Sequence, residues 1–381
     1  MLRFTQVELK NWRNFKHVNV ALQGRAFLVG PNASGKSNFL DVFRFLHDLV
    51  AVGGGFQQAV QKRGGVSKLR CMSARESSDI TLHVQMIDND TQEVWDYQLT
   101  FNQDRQRRPQ ISAELVKHND RIVLNRPDEN DKNDPERLTQ TYVEQVNANR
   151  SFRDVFTFFQ AVRYLHIVPQ LVREPERSVN RSDDPFGGDF LEQMATAKIP
   201  TQQARLRKIK DALKIAIPQL IDLRLEKDER GIPHLQAKYQ HWRPQGIWLN
   251  EDQFSDGTLR LMGLLWSILD GTGPLLLEEP ELSLHPSIIR RLPQIFASTY
   301  NKFQRQILMS SHSNDLLRDE GIGFDEVLVF RPTQEGTEVK LALDIPEITR
   351  LVGGDLSLAD AVLPLTEPKN VFQLALFAEK Q

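Results

Sequence analysis

The segment Gly30-Pro31-Asn32-Ala33-Ser34-Gly35-Lys36-Ser37 constrains this chain more than any other feature. It matches G-x-x-x-x-G-K-[ST] at every fixed position. Glycines let the backbone curl so that its N–H groups face phosphate oxygens. Lys36 would neutralise charge at the β and γ phosphates, and the Ser37 hydroxyl would ligate Mg²⁺. The helix that follows points its positive end at the anion. Residues Gly30 through Asn38 are therefore the candidate nucleotide-binding set. The flanks agree: Arg25-Ala26-Phe27-Leu28-Val29 is a compact apolar run, and Phe39, Val42, Phe43, Leu46 and Leu49 recur at helical spacing up to Val50. The order is strand, loop, helix.

A second constellation lies far along the chain. Pro274-Leu275-Leu276-Leu277-Glu278-Glu279-Pro280-Glu281 is an apolar strand that ends in carboxylates. A phosphate-loop protein needs one acid there for the Mg²⁺ shell and often another to polarise the attacking water. Glu278 is the candidate for the first role and Glu279 for the second.

The remaining pattern is a soluble α/β protein. Residues 3–10 and 17–22 read as strands, and 79–101 as a hairpin turning at Asp88-Asn89-Asp90. Residues 126–137 and 173–189 read as polar surface loops, the second one mobile, and Tyr164–Val168 as a buried strand. A basic amphipathic helix is expected from Gln202 to Ile217, ended by Pro218, and another from Gly257 to Leu269. A further helix should start near Pro286, with strands at Gln306–Met309 and Glu326–Phe330. Strands alternating with helices predict a mostly parallel sheet.

Lys+Arg total 48 against Asp+Glu 50, so no global positive field draws the chain to nucleic acid. Basic residues cluster at Arg105-Gln106-Arg107-Arg108 and at Arg205, Arg207, Lys208 and Lys210. They could track a phosphate backbone, but the balanced charge favours solvated faces. One cysteine, Cys71, excludes an internal disulfide framework and a C-x-x-C zinc site. No run of about 18 apolar residues exists, and the alternating start lacks a signal-peptide core. No membrane contact and a cytoplasmic location are the expectations.

Five motifs then occur in order: Gly30–Ser37, Phe254-Ser255-Asp256-Gly257-Thr258, Leu275–Glu279, Ser283-Leu284-His285-Pro286 and Ser310-Ser311-His312. The order resembles the ABC-type ATPase heads of RecF, SMC proteins and the overcoming-lysogenisation-defect (OLD) nucleases. It is most similar to the OLD-like group of AAA ATPases, where S-D-G-T stands for the S-G-G of transporters. The opening Leu9-Lys10-Asn11-Trp12-Arg13-Asn14-Phe15 is also typical of that group.

The resemblance implies an α/β fold: an ABC-type phosphate-loop head with a mixed sheet, an antiparallel β lobe and an inserted helical lobe. The head would comprise residues 1–50 and 250–335, the inserted lobes 51–249, and a C-terminal extension packing on the head 336–381. It implies ATP and Mg²⁺ as ligands. Ser255 and Gly257 would belong to a signature motif that contacts the γ phosphate held by a second copy of the chain, so ATP would drive homodimerisation. Glu279 would be the catalytic base and Glu278 the metal-shell acid, a departure from the more usual aspartate. His312 would be the switch histidine. Gln170 is the candidate for the lobe-linking glutamine that senses Mg²⁺, with Gln160 as competitor.

Between Ser37 and Ser255 lie 217 residues, too many for a transporter subunit and without the coiled coil of an SMC protein. OLD nucleases continue into a metal-dependent TOPRIM domain. Here 51 residues follow Phe330, among them Asp344, Glu347, Asp355 and Asp360 but no D-x-D, and no nuclease site is expected. The expectation is an ATP-driven switch controlling a separately encoded effector, most simply a TOPRIM-like nuclease, in antiphage defence. A RecF-like repair ATPase that binds DNA directly, and a nucleotide-dependent scaffold with negligible turnover, are the alternatives.

Overall fold

The computed structural model describes residues 1–74, 78–174, 184, 186–242, 245–352 and 356–367. It divides into two compact units. The first contains Met1–Arg163, Thr272–Leu276 and the residues from Pro293 onward; the second contains Tyr164–Gly271 and Leu277–Leu292.

The first unit carries two sheets. One is antiparallel, in the order Phe15–Ala21, Leu2–Trp12, Ile80–Asp88, Val94–Gln103, Pro109–His118, Arg121–Arg126. In the other, Arg25–Val29 has parallel neighbours on both sides, Ile307–Ser311 and Val327–Thr333, and Gly336–Leu341 returns antiparallel along Val327–Thr333. On its far side the Leu275 amide donates to the Gln306 carbonyl at 2.9 Å, and the Arg163 amide to Pro274 at 2.9 Å. The mostly parallel sheet expected from the alternation of elements is thus confined to one of the unit's sheets.

The helix Lys36–Val50 joins the two sheets. Phe43 meets Phe4 at 4.7 Å and Phe45 stacks on Phe101 at 5.8 Å, both on the antiparallel sheet. Phe39 meets Phe330 of the parallel sheet at 5.6 Å. Leu40, Phe45 and Val50 are buried besides the residues of the expected stripe, as suits a helix covered on more than one side. Gln306 fastens the sheets together by accepting from the Phe4 amide at 2.9 Å and donating to the Phe4 carbonyl at 2.7 Å. A buried amide so placed satisfies two main-chain groups that would otherwise be costly.

Residues 126–137 are not the open polar loop that their composition suggests. Arg126 is fully buried between Glu114 and Asp131, each at 2.9 Å, and lies over the Tyr142 ring at 3.8 Å. Asp131 sits in a capping box that starts the helix Glu129–Asn133. The ion pairs and hydrogen bonds hold the Asp131 carboxyl down at about 2, against the burial that raises it.

In the second unit, Ile247–Asn250, Pro233–Tyr239 and Leu220–Lys227 form an antiparallel sheet. Leu223, Leu235 and Ala237 from it pack with Leu206, Ile209 and Leu213 of helix Ile199–Ala216 and with Leu259, Met262 and Trp266 of helix Asp256–Leu269. Every third or fourth residue of each helix supplies this core. The expected Tyr164–Val168 strand is reduced to Arg163–Leu165, because Pro169 starts the helix Pro169–Val172 and the Val168 amide turns to the Phe186 carbonyl at 3.0 Å. Of the stretch 173–189, residues 175–183 and 185 lie outside the described residues, as does Asp355. Asp360 is taken up by the cap of helix Leu358–Thr366, through Ser357.

The basic clusters are partly neutralised by local acids. Arg108 meets Asp104 at 2.8 Å, Arg205 meets Asp270 at 2.7 Å and Lys210 meets Asp222 at 3.1 Å. This agrees with solvated faces rather than a track for nucleic acid.

Candidate functional site

The phosphate loop belongs to the first unit. It leaves the buried end of Arg25–Val29 at Gly30, where a Cβ would come within 2.7 Å of the Phe330 carbonyl. Ala33 and Gly35 take positive φ, 60° and 96°. Left-handed residues inside such a turn aim successive amides at one point, a ready cradle for an anion. Gly35 is also the N-cap of helix Lys36–Val50 and has no side chain with which to cap it; the positive end of a helix favours an anion. Lys36 is buried, and its Nζ donates to the carbonyls of Gly30 at 2.9 Å and Pro31 at 3.0 Å. The ammonium is thereby folded back over the loop. Asn32, Ala33 and Ser37 are exposed, whereas Ser34 is fully buried.

His312 is delivered to the same sheet edge. Ser311, the last residue of its strand, lies opposite Val29 in parallel register, so Gly30 and His312 are the next residues on neighbouring strands. Both strands end there, at the carboxyl end of parallel strands, which is the natural ligand side of such a sheet.

The second unit holds the acids and the signature residues. Glu278 ends the strand Leu275–Glu278, accepts a hydrogen bond from the Tyr164 hydroxyl, and its carbonyl meets His166 Nδ1 at 3.2 Å. Glu279 has φ 44°. A non-glycine residue in that region costs on the order of 1 kcal/mol and persists where the surroundings enforce it, often at functional sites. A tight turn follows: the Leu282 amide donates to the Glu279 carbonyl at 3.2 Å and the Leu284 amide to that of Glu281 at 3.0 Å.

This turn lies against the start of helix Asp256–Leu269. A Cβ on Gly257 would collide with the Ser283 carbonyl, so the signature position admits only glycine. Ser255 is the N-cap, and its Oγ accepts from the Thr258 amide at 3.2 Å. Asp256 is held by Arg173, whose guanidinium also donates to the Phe254 carbonyl, both at 2.6 Å. One turn along, burial pulls the Arg260 pKa down, against the carboxylates of Asp256, Glu279 and Glu281. Gln170 is exposed on the helix Pro169–Val172. Its competitor Gln160 is exposed on the helix Arg153–Ala161 of the first unit.

The structure adds three side chains that motif reading passed over. Asn14 Nδ2 donates to the Ser34 carbonyl at 3.0 Å. Tyr164 orients Glu278, and Arg260 lies among the acids. The first stands inside the opening segment Leu9–Phe15, which resembles that of the OLD-like group; nothing local in sequence marks the other two.

Donor chemistry suits a hard cation. In the first unit Ser37 offers a hydroxyl; in the second Glu278 offers a carboxylate and Gln170 an amide carbonyl; each is an oxygen ligand of the kind Mg²⁺ takes, usually with substrate phosphates completing the shell. Among the described residues no group of three His, Cys, Asp or Glu forms a self-sufficient metal site.

Comparison with known proteins places these features in context. Residues 25–319, well over half of the chain, match the family model described as "AAA domain, putative AbiEii toxin, Type IV TA system". A stretch of 67 residues is 36% identical to Endonuclease GajA of Bacillus cereus (strain VD045), covering 18% of this chain and 12% of that protein's length. Among solved structures, an SMC head bound to the C-winged helix domain of ScpA superposes with a TM-score of 0.56 at 12% identity, covering 88% of this chain and 97% of that one. An SMC head with an extended coiled coil from Pyrococcus furiosus, bound to the C-terminal domain of ScpA, gives 0.52 at 11% identity, covering 93% and 100%. At such identities the likeness is one of fold.

Proposed function

The chain belongs to this AAA-domain family, and from that membership we propose that it works as an ATP-driven, dimerising switch that controls a separately encoded effector. It is an ATP hydrolase with an SMC-like head fold. The observation that carries the reading is the loop itself: positive φ at Ala33 and Gly35, an uncapped helix start, and Lys36 folded over the curl. Such a cradle suits the phosphates of ATP and has no evident use otherwise.

In this reading Lys36 and backbone N–H groups of the loop Gly30–Ser37, Pro31 having none, bind and orient the phosphates, with Asn38 beside them. Ser37, Glu278 and Gln170 would hold Mg²⁺, whose contribution when bound is to neutralise charge at the β and γ phosphates. Glu279 accepts the proton of the attacking water. The left-handed backbone at Glu279 fixes the direction in which its side chain leaves the turn, so less orientation entropy remains to be lost. His312 contacts the γ phosphate, which makes the site sensitive to whether that phosphate is present. Ser255 and the helix end beyond Gly257 complete the site of a second copy, so ATP promotes self-association.

The local match to an endonuclease is in keeping with a nuclease as the effector; its TOPRIM type and a role in antiphage defence follow from the resemblance to the OLD-like group. The balanced charge and the paired arginines speak against the repair-clamp alternative. ATP can bias a partner only if the partner binds one nucleotide state better; about 1–3 kcal/mol of coupling is enough.

The test is a pair of variants. Lys36→Ala should lose ATP binding by calorimetry. Glu279→Gln should bind ATP, turn over at least about 100-fold more slowly, and accumulate a nucleotide-bound dimer by sedimentation. Turnover stopped by Glu278→Gln but not by Glu279→Gln would reverse the two acids. Recovery of the native protein without a stoichiometric partner, together with steeply salt-dependent DNA binding, would replace the switch by the repair clamp.

A further inference from the structure

We propose that Asn14 is a positioning residue for the phosphate loop, and that it ties the loop's shape to the hairpin formed by Val327–Thr333 and Gly336–Leu341. The inference rests on the nucleotide-binding reading above and adds to it a role for one residue of the opening segment Leu9–Phe15 and for a hairpin outside the five motifs.

Asn14 stands in the turn between the strands Leu2–Trp12 and Phe15–Ala21. The turn is folded by positive φ at Asn11, 58°, and Arg13, 53°, and is held to the loop's helix by a bond from Trp12 Nε1 to the Asn38 carbonyl at 2.9 Å. From there the Asn14 side chain reaches three partners. Its Nδ2 donates to the Ser34 carbonyl at 3.0 Å and to the Thr337 hydroxyl at 2.7 Å, and its Oδ1 accepts from Asn38 Nδ2 at 2.8 Å. The Asn14 carbonyl meanwhile accepts from the Thr337 amide at 2.8 Å. Asn14 is therefore engaged by the loop on one side and by the hairpin on the other.

Sterics say the same. Gly35 has φ 96°, and a Cβ there would strike the Asn14 amide; Gly336 has φ 117°, and a Cβ there would come within 2.5 Å of the Asn14 carbonyl. Two glycines, one from each element, make room for one asparagine.

Peptide geometry gives the consequence. The Ser34 carbonyl and the Gly35 N–H share a single planar trans unit and point in opposite directions. Drawing the carbonyl toward Asn14 turns the Gly35 N–H away from it, to the side on which the cradle's amides gather. The hydrogen bond thus sets the direction of a phosphate donor in advance, and a pre-aimed donor costs less to use. Aspartate could not substitute, since it has no N–H to offer the carbonyl. Asn14 and Thr337 both fall outside residues 25–319, so this support is additional to the family's matched span.

The test compares Asn14→Asp, Thr337→Val and Thr337→Ser in steady-state hydrolysis and ATP titration, with thermal unfolding beside them. Loss of one of these part-buried hydrogen bonds should raise KM for ATP about three- to tenfold, more for Asn14→Asp than for Thr337→Val. The kcat at saturation should stay within about twofold of the parent's, and Thr337→Ser, which keeps the hydroxyl, should restore the parental KM. Parental KM in both Asn14→Asp and Thr337→Val would overturn the proposal, as would a fall in kcat and unfolding midpoint with KM unmoved. Lys36→Ala in the same titration separates the layers. If it binds ATP like the parent, the nucleotide site itself is misassigned; if it loses ATP while the Asn14 and Thr337 variants keep it, only the positioning role fails.

Discussion

Replacing Glu144 by glutamine should make the protein more stable in mild alkali. Glu144 accepts from the Phe56 amide at 2.6 Å and from the Thr141 hydroxyl at 3.0 Å, at the start of the short helix Phe56–Gln61. Burial outweighs these bonds, and the neighbouring Glu114 carboxylate adds to it, so the Glu144 carboxyl is pushed up to about 7 from 4.5. At about 1.4 kcal/mol per pH unit, that gap amounts to roughly 3 kcal/mol. The unfolded chain releases this proton near 4.5, the folded chain only near 7, so between those values the folded form binds more protons. Stability from this group is full below about 4.5, declines as the pH rises, and is gone above about 7. Glutamine keeps an acceptor for the Phe56 amide and never ionises. Urea unfolding at pH 5, 7 and 8.5 should therefore show similar stability for parent and variant at pH 5, and a variant advantage approaching about 3 kcal/mol at pH 8.5. Differences between the two curves cancel the titration of groups that do not interact with Glu144; Glu114, which does, titrates together with it in the parent. Equal pH slopes for the two proteins would refute the reasoning.

Three further outcomes follow from the same structure. Arg126→Met should cost about 3–5 kcal/mol in urea unfolding, because Glu114 would remain buried without its counter-charge and Asp131 would keep only Arg137, at 3.4 Å; a loss under about 1 kcal/mol would mean that water or protonation compensates. Ser255→Arg should leave ATP binding by the monomer intact and abolish ATP-dependent self-association, checked by sedimentation and by crosslinking in the Glu279→Gln background. Tyr164→Phe should raise the Mg²⁺ concentration needed for half-maximal turnover several-fold, since Glu278 loses the hydroxyl that orients it; an unchanged Mg²⁺ requirement would detach Glu278 from the metal.

What the sequence determined by itself was the chemistry that lives within a few residues. The phosphate loop was legible because its glycines, Lys36 and Ser37 act through the backbone they sit on, and the structure adds only that Ala33 joins Gly35 at positive φ. The hairpin at 79–101 and the helices Ile199–Ala216 and Asp256–Leu269 were legible because side-chain period reports local geometry. Tertiary structure decided whatever depends on partners distant in the chain. Residues 126–137 carry the composition of a solvated loop, yet Arg126 is among the most buried side chains, because Glu114 across the sheet supplies a charge that no local pattern announces. Tyr164 finds Glu278 across more than a hundred residues, and Asn14 finds Thr337 across more than three hundred. Hydrogen-bond partners of buried polar groups are chosen by packing, after the chain has folded back on itself, and sequence order carries no record of which segments will then be neighbours.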